Sequence, residues 1–296
     1  MSLLSQAIVT LKRPYFALRM REASWHKLNM EAHQQWVDHP VALNSVQTRL
    51  VTDLQKNGIA FTNLKEFFSN RPDYLSELQS TVAAMRERVV RNRKKSFLLD
   101  FFGSHRVLDI EDRFIQYSLQ PELVNTINSY LKMWSRFYYF YLGETLPSPE
   151  ASPTGSQRWH RDPEDKRMCK VFLYLTDVND IGAGPFTYVR GSQEHGSYRK
   201  YFPQKFPQGA YPPAGAVEKV VDPKDILTCL GKAGTIIFCD TSGLHKGGFS
   251  TTTSRIMYTA GFSSFASHFV HMYELPEQVD LSKLPLATQF ALHRQL

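Results

Sequence analysis

His160-Arg161-Asp162 and, far downstream, Gly243-Leu244-His245-Lys246-Gly247-Gly248 followed by Arg255 carry the residue types best suited to chemistry in this chain. Two imidazoles and one carboxylate are the donors of the facial triad that holds non-haem Fe(II) while leaving positions open for oxygen and a co-substrate. In an extended segment residues two apart point the same way, so His160 and Asp162 can converge on one ion. His245 can join them only through folding. Arg255, ten residues past His245, offers a fixed planar cation of the kind that a dicarboxylate co-substrate such as 2-oxoglutarate needs. An HxD pair alone is a weak signal, because most such pairs are surface or structural; the glycine-rich setting of His245 and the downstream Arg raise it. His160-Arg161-Asp162 also spells the start of a protein-kinase catalytic loop. That loop needs an Asn five residues after Asp162, where Arg167 stands, and no Asp-Phe-Gly follows.

The elements that must position these residues fall into two halves. Leu4, Ile8, Leu11, Phe16, Leu18, Trp25 and Leu28 alternate with Lys12, Arg13, Arg19, Arg21 and Lys27 in a helical pattern that Pro14 interrupts. Such a basic amphipathic stretch suits a helix packed on the catalytic domain or a partner subunit, with peripheral membrane contact as a second role. Helical spacing continues over residues 44–57, where Gly58 supplies the stop, and a short strand follows at 59–62. Further helices are expected at 63–68, from Asp73 through the basic cluster Arg86, Arg88, Arg91, Arg93, Lys94 and Lys95, and from Pro121 to Tyr139. Beyond the Pro/Ser-rich break at 146–155 the pattern changes to short strands at 168–175, 186–189, 235–239 and 256–260. In the first of these, Val171, Leu173 and Leu175 share one face, and Lys170, Phe172 and Tyr174 the other. This predicts an α+β fold, a β-sandwich or jelly roll backed by N-terminal helices. No clean boundary separates two domains. The expected organisation is one domain over 1–296, with 1–145 mainly helical support, 146–265 the catalytic core and 266–296 a C-terminal extension.

Residues 157–262 resemble the phytanoyl-CoA dioxygenase family of Fe(II)/2-oxoglutarate oxygenases. The resemblance rests on the order of His160-Arg161-Asp162, the strand at 171–175, Asp177 to Ser192 with Gly184-Pro185-Phe186 and Arg190-Gly191-Ser192, then His245 and Arg255. It implies a double-stranded β-helix (cupin-like jelly roll) with Fe(II) held by His160, Asp162 and His245. It also implies 2-oxoglutarate paired through its 5-carboxylate with Arg255, and O2 as co-substrate, with ascorbate serving as reductant in vitro. The chain departs from the family pattern at Arg190, where Pro is usual, at Ser192-Gln193-Glu194-His195 in place of Ser-His, and at Gly247, where a polar residue often assists the co-substrate. Lys170 falls where some relatives place a polar co-substrate contact; an edge-strand Lys reaching solvent is the bland alternative. Gln157, three before His160, is a candidate substrate contact beside the reading of a plain surface amide. His195 reads as a surface residue, and Trp159 as a core residue. An intact Asp162 argues against a halogenase, in which a vacated ligand position admits chloride. The alternative to an enzyme is a non-catalytic jelly-roll binding module with a vestigial metal site.

Composition bounds the partners. The 296 residues carry a net charge of +7, which mildly favours an anionic or lipid-linked small-molecule substrate. The basic cluster at 86–95 reads first as a solvated helix face. No nucleic-acid-binding signature accompanies it, and the second Arg that a nucleic-acid demethylase of this iron class uses does not follow Arg255 before the C-terminal segment, so no nucleic-acid partner is expected. No apolar run approaches the roughly 20 residues of a membrane span. Met1 to Thr10 lacks signal-peptide order. Cys169, Cys229 and Cys239 form no CxxC pair and read as buried thiols of a reducing compartment, with the cytoplasm as the expected location.

Overall fold

The computed structural model describes residues 13–91, 97–148 and 152–293. Its centre is a seven-stranded antiparallel sheet in the order β1-β8-β5-β10-β4-β3-β2. The strands are β1 (Ile59–Asn63), β2 (Val90–Arg91), β3 (Leu98–Asp100), β4 (Arg136–Thr145), β5 (Met168–Tyr174), β8 (Thr235–Cys239) and β10 (Arg255–Ser263). A smaller sheet of β6 (Thr187–Val189), β7 (Ile226–Thr228) and β9 (His245–Lys246) has β6 in the middle. An antiparallel bridge from His160 to His245 continues it beyond β9. The fold is a double-stranded β-helix, with the chain passing between the two sheets along its length.

Alternation on the central strands decides which face meets what. Val171, Leu173, Ile236, Phe238, Tyr258 and Ala260 enter a large apolar cluster that includes Leu50 and Leu54 of the helix Ser45–Asn57 and Leu123, Val124 and Ile127 of the helix Pro121–Leu131. Phe172, Tyr174, Ile237 and Cys239 point the other way and pack with Tyr188 of the small sheet and Phe186 just before it. Period-two burial on both faces is what a strand between helices and a second sheet requires. The three cysteines are buried free thiols.

The N-terminal helices serve the sheet as well. Residues 13–19, Glu22–Leu28 and Met30–Asp38 are helical. Trp25 is buried and donates its indole N–H to Asp165 at 2.9 Å, while Asn29 donates to Ser264 at 3.1 Å. The amphipathic reading of residues 1–12 lies outside the described residues. Among the described residues, no helix is long and apolar enough to cross a membrane.

Two helices end earlier than their patterns predict. The one expected from Asp73 through the basic cluster stops at Met85, gives way to a 3-10 turn at Arg86–Arg88, and continues as β2 paired with β3. Arg86 there stays exposed but reaches back to the buried Glu144 of β4 at 3.1 Å, so the cluster does not continue as one helix face. Arg93, Lys94 and Lys95 lie outside the described residues. The helix expected over 121–139 stops at Leu131, with Lys132 in a left-handed conformation (φ 56°), and Arg136 to Thr145 is the long strand β4. The aromatic run Phe137 to Tyr141 explains the change: such side chains lose rotamer freedom on a helix and pack well on a pleated surface. The jelly roll therefore draws strands from both sides of the break at 146–155.

Gly58 ends the helix Ser45–Asn57 at φ 74°, after a capping box between Asn44 and Gln47 opens it. A Cβ there would stand 2.3 Å from the Tyr188 hydroxyl and 2.6 Å from Gln193 Oε1, so both conformation and space require glycine. Gly58→Ala is expected to cost roughly 1–3 kcal/mol, read as a lowered midpoint in urea unfolding.

Candidate metal centre

The site begins with a pair of backbone hydrogen bonds. His160 N–H donates to His245 O at 2.9 Å, and His245 N–H donates back to His160 O at 3.0 Å. This reciprocal bridge brings the two ring centroids to 4.1 Å. Asp162 N–H is held by Thr241 O at 3.0 Å, which fixes the carboxylate on the same side as His160. The donor atoms of His160, Asp162 and His245 all lie within 4.8 Å of one another. His160 Nε2 is 3.5 Å from Asp162 Oδ1, and His245 Nε2 is 3.5 Å from Asp162 Oδ2. All three residues are buried.

Both imidazoles are oriented in the same way. His160 Nδ1 faces the carbonyl of Arg158 at 2.8 Å, and His245 Nδ1 that of Gly243 at 3.0 Å. A carbonyl two residues back keeps the proton on Nδ1 and turns the Nε2 lone pair to the centre, as a metal ligand requires. Burial, then the neighbouring His160, pushes the His245 pKa down to about 3, so this ring stays neutral. Burial alone would raise Asp162. The Lys170 ammonium and then the two histidines overcome it and hold the carboxylate well below its usual range. Two imidazole nitrogens and one carboxylate oxygen, closely spaced on one side, suit a divalent first-row metal.

Arg255 opens β10 opposite Thr145 on β4. It is buried and lines the cavity of about 420 Å³ that the triad also faces. Its guanidinium donates to Gly184 O, to Gly247 O at 2.7 Å and weakly to Thr145 Oγ1 at 3.5 Å, while Nε has no partner. No carboxylate among the described residues pairs with it. Desolvation lowers its pKa, which states the cost of keeping this cation without a counter-ion. Gly248, at φ 74°, is part of the same device: a Cβ there would sit 2.1 Å from Gly184 O, one of the carbonyls that accept from Arg255.

Lys170 is neither on an edge strand nor in solvent. Its strand β5 lies between β8 and β10, and its Nζ is 2.7 Å from Asp162 Oδ2 and 3.3 Å from Glu164 Oε1. It pairs in register with Gly261, six residues along β10 from Arg255, or about 20 Å of strand. Lys170 therefore stands at the triad end of the cavity. Gln157 is not a surface amide; it is buried in the cavity wall, and its Oε1 accepts the Thr154 N–H at 3.0 Å. His195 is exposed and away from the triad, and Trp159 packs with Val189, Val217 and Leu244.

Several residues at the site escape a reading of the sequence. Arg161, between two candidate ligands, is fully buried and spends all five N–H donors on the carbonyls of Phe202, Ser192, Ser242, Tyr198 and Tyr201. It ties the loop before His245 to the segment 192–202. No local pattern announces such a clamp. Tyr211 stacks on His160 with centroids 5.4 Å apart, brought there by a loop that bridges Ala210 to Arg161. Glu164 has the same parity as His160 and Asp162, and alternation could have singled it out.

No family model matches the chain, and no curated protein matches it. Solved structures do. EctD from S. alaskensis, with 2-oxoglutarate and 5-hydroxyectoine, superposes with a TM-score of 0.55 at 15% identity, covering 87% of this chain and 91% of that one. The epimerase SnoN, in complex with Fe3+, alpha-ketoglutarate and nogalamycin RO, gives 0.53 at 14% identity over 74% and 83%. HygX from Streptomyces hygroscopicus, with nickel and 2-oxoglutarate bound, gives 0.50 at 13% identity over 75% and 88%. At these identities the likeness establishes the fold.

The depressed pKa of His245 has a consequence for stability. The unfolded chain takes up this proton near pH 6.5 and the folded one only near 3, so the contribution is full above 6.5 and lost as pH falls through the interval between. Between pH 7.5 and 5.5 the metal-free protein should lose about 1.4 kcal/mol through this residue. Urea unfolding at the two pH values should show that loss in the wild type and its absence in His245→Gln.

Proposed function

We propose that this protein is an Fe(II)- and 2-oxoglutarate-dependent oxygenase acting on a small molecule, with residues 1–296 forming one catalytic domain. The observation that carries the reading is a buried His-Asp-His triad sharing one cavity with a buried arginine that pairs with no carboxylate among the described residues. The neighbours that hold 2-oxoglutarate with iron or nickel support it. Placement near the phytanoyl-CoA dioxygenase family rests on the order of motifs from His160 to Arg255.

On this reading His160, Asp162 and His245 hold Fe(II) from one side, and Arg255 receives the 5-carboxylate of 2-oxoglutarate. The spacing suits that molecule. Phe172, in register with Thr259 of β10, packs against Phe186 with ring centroids 4.6 Å apart, and the Phe186 ring lies 5.6 Å from that of His245. The triad thus stands near the Thr259 level, four residues from Arg255, or about 14 Å of strand, which the guanidinium side chain and a five-carbon diacid divide between them. When bound, Fe(II) with 2-oxoglutarate and O2 supplies the oxidising power, the co-substrate leaving as succinate and carbon dioxide while a substrate C–H bond is oxidised. The protein's own part is to position and to exclude water. Phe172, Phe186 and Met257 form an apolar wall along the co-substrate path. A co-substrate contact by Lys170 would fall at the metal-chelating end of 2-oxoglutarate. A cavity of about 420 Å³ shared with the co-substrate leaves space for a small substrate or for one end of a larger one.

The intact ligand set weighs against a non-catalytic binding module. With Fe(II) and ascorbate, purified protein should release succinate from 2-oxoglutarate, and Asp162→Ala should abolish the release. Arg255→Lys keeps the charge and loses the fork, so calorimetric 2-oxoglutarate affinity should fall about 10–100-fold, the worth of a charge-assisted hydrogen bond. Unchanged affinity in Arg255→Ala would remove this role and with it the main support for the reading.

A further inference from the structure

Asp162 has two oxygens, and the surrounding chain treats them differently. Oδ1 has His160 Nε2 at 3.5 Å and Oδ2 has His245 Nε2 at the same distance, but among the described residues no Lys or Arg side chain reaches Oδ1. Oδ2 accepts a short charged hydrogen bond, 2.7 Å, from Lys170 Nζ. The ammonium is itself held in place. Glu164 Oε1 lies 3.3 Å away on its second side, and the ring of Tyr139 stands 5.7 Å from it. Its stem leaves β5 opposite Gly261, which places no side chain across its path, and the strand is locked between β8 and β10.

A carboxylate can bind a metal through one oxygen or through both. An ammonium fixed on Oδ2 takes up one of its lone pairs and repels a dication approaching that same oxygen. Oδ1 carries no such penalty. We propose that Lys170 is a positioning residue that confines Asp162 to metal ligation through Oδ1 alone, so that the coordination positions a two-oxygen carboxylate would consume stay open for the co-substrate. This inference rests on the oxygenase reading for what fills those positions, but its geometric core concerns the metal and Asp162 only. It also gives Glu164 a part, as the second hold on the ammonium. The arrangement differs from ordinary support of a ligand, in which removing a partner weakens metal binding itself.

The test begins without co-substrate. X-ray absorption on the Co(II)-loaded wild-type protein should place the carboxylate carbon at the distance of a one-oxygen ligand; a two-oxygen carboxylate there overturns the inference, whether or not any variant folds. In Lys170→Met, which keeps the stem and removes the charge, that carbon should move closer to the metal, and an unchanged spectrum likewise overturns it. Calorimetry supplies the second readout. Lys170→Met should bind the metal within about threefold of wild type while 2-oxoglutarate affinity of the metal-loaded protein falls about 10–100-fold, and Lys170→Arg should restore both. Weakened metal binding with unchanged 2-oxoglutarate affinity would reduce Lys170 to a generic support and sink the proposal. A wild-type protein that holds Co(II) through one carboxylate oxygen but binds no 2-oxoglutarate would defeat the oxygenase reading and leave the role of Lys170 standing.

Discussion

Two reciprocal backbone hydrogen bonds between His160 and His245 are the constraint on which the site depends. They join the segment after the Pro/Ser-rich break to the short strand β9 and set the two imidazoles ring to ring. A hydrogen-bonded antiparallel pair sets its two Cα atoms about 5.5 Å apart with both side chains on the same face. Around that bridge the chain places three further fixings: a carbonyl behind each imidazole, the Thr241 carbonyl on the Asp162 amide, and the five carbonyls gathered by Arg161. None of these residues chooses the chemistry. They determine whether three donors point at one place.

The cavity is unusual in where it keeps its charges. Arg255 is buried at one end among carbonyls, with no carboxylate of the described residues paired to it, and Lys170 is buried at the other between Asp162 and Glu164. A buried guanidinium without a counter-ion is expensive, which is the physical ground on which the proposed function assigns it an anionic co-substrate. A buried ammonium between two carboxylates is a closed set, with its charge already spent within the protein. The two cations therefore have different roles. Each is set by which strand carries it and at which level of β10 it falls.

The central strands bind the two halves of the chain together. β4, from the largely helical first half, pairs along β10, which carries Arg255, and β5 pairs on the other side of β10 while carrying Lys170. Helices Ser45–Asn57 and Pro121–Leu131 cover the outer face of this sheet, and the small sheet covers the inner one. The site thus lies between two sheets whose separation is fixed by packed aromatic side chains such as Phe172 and Phe186. Rigid sheets hold a constellation to tenths of an ångström in a way loops do not.

The sequence by itself determined the kinds of atom available and much of the local structure. The donor types at His160, Asp162 and His245, the cation at Arg255, the capped helix ending at Gly58 and the alternation across β5 all follow from residue identity and short-range spacing. Where local signals conflict, tertiary pairing prevailed. The aromatic run after Leu131 could extend a helical pattern until β10 offered it a partner along Arg136 to Thr145. The basic cluster could prolong a helix until β3 took up Val90 and Arg91. Only the folded chain could decide that Lys170 faces Asp162 and not solvent, that Gln157 lies in a wall, and that Arg161 gathers carbonyls from two distant segments. Those facts rest on contacts between residues far apart in the chain, set by strand register and sheet closure, and no periodicity within a single segment encodes them.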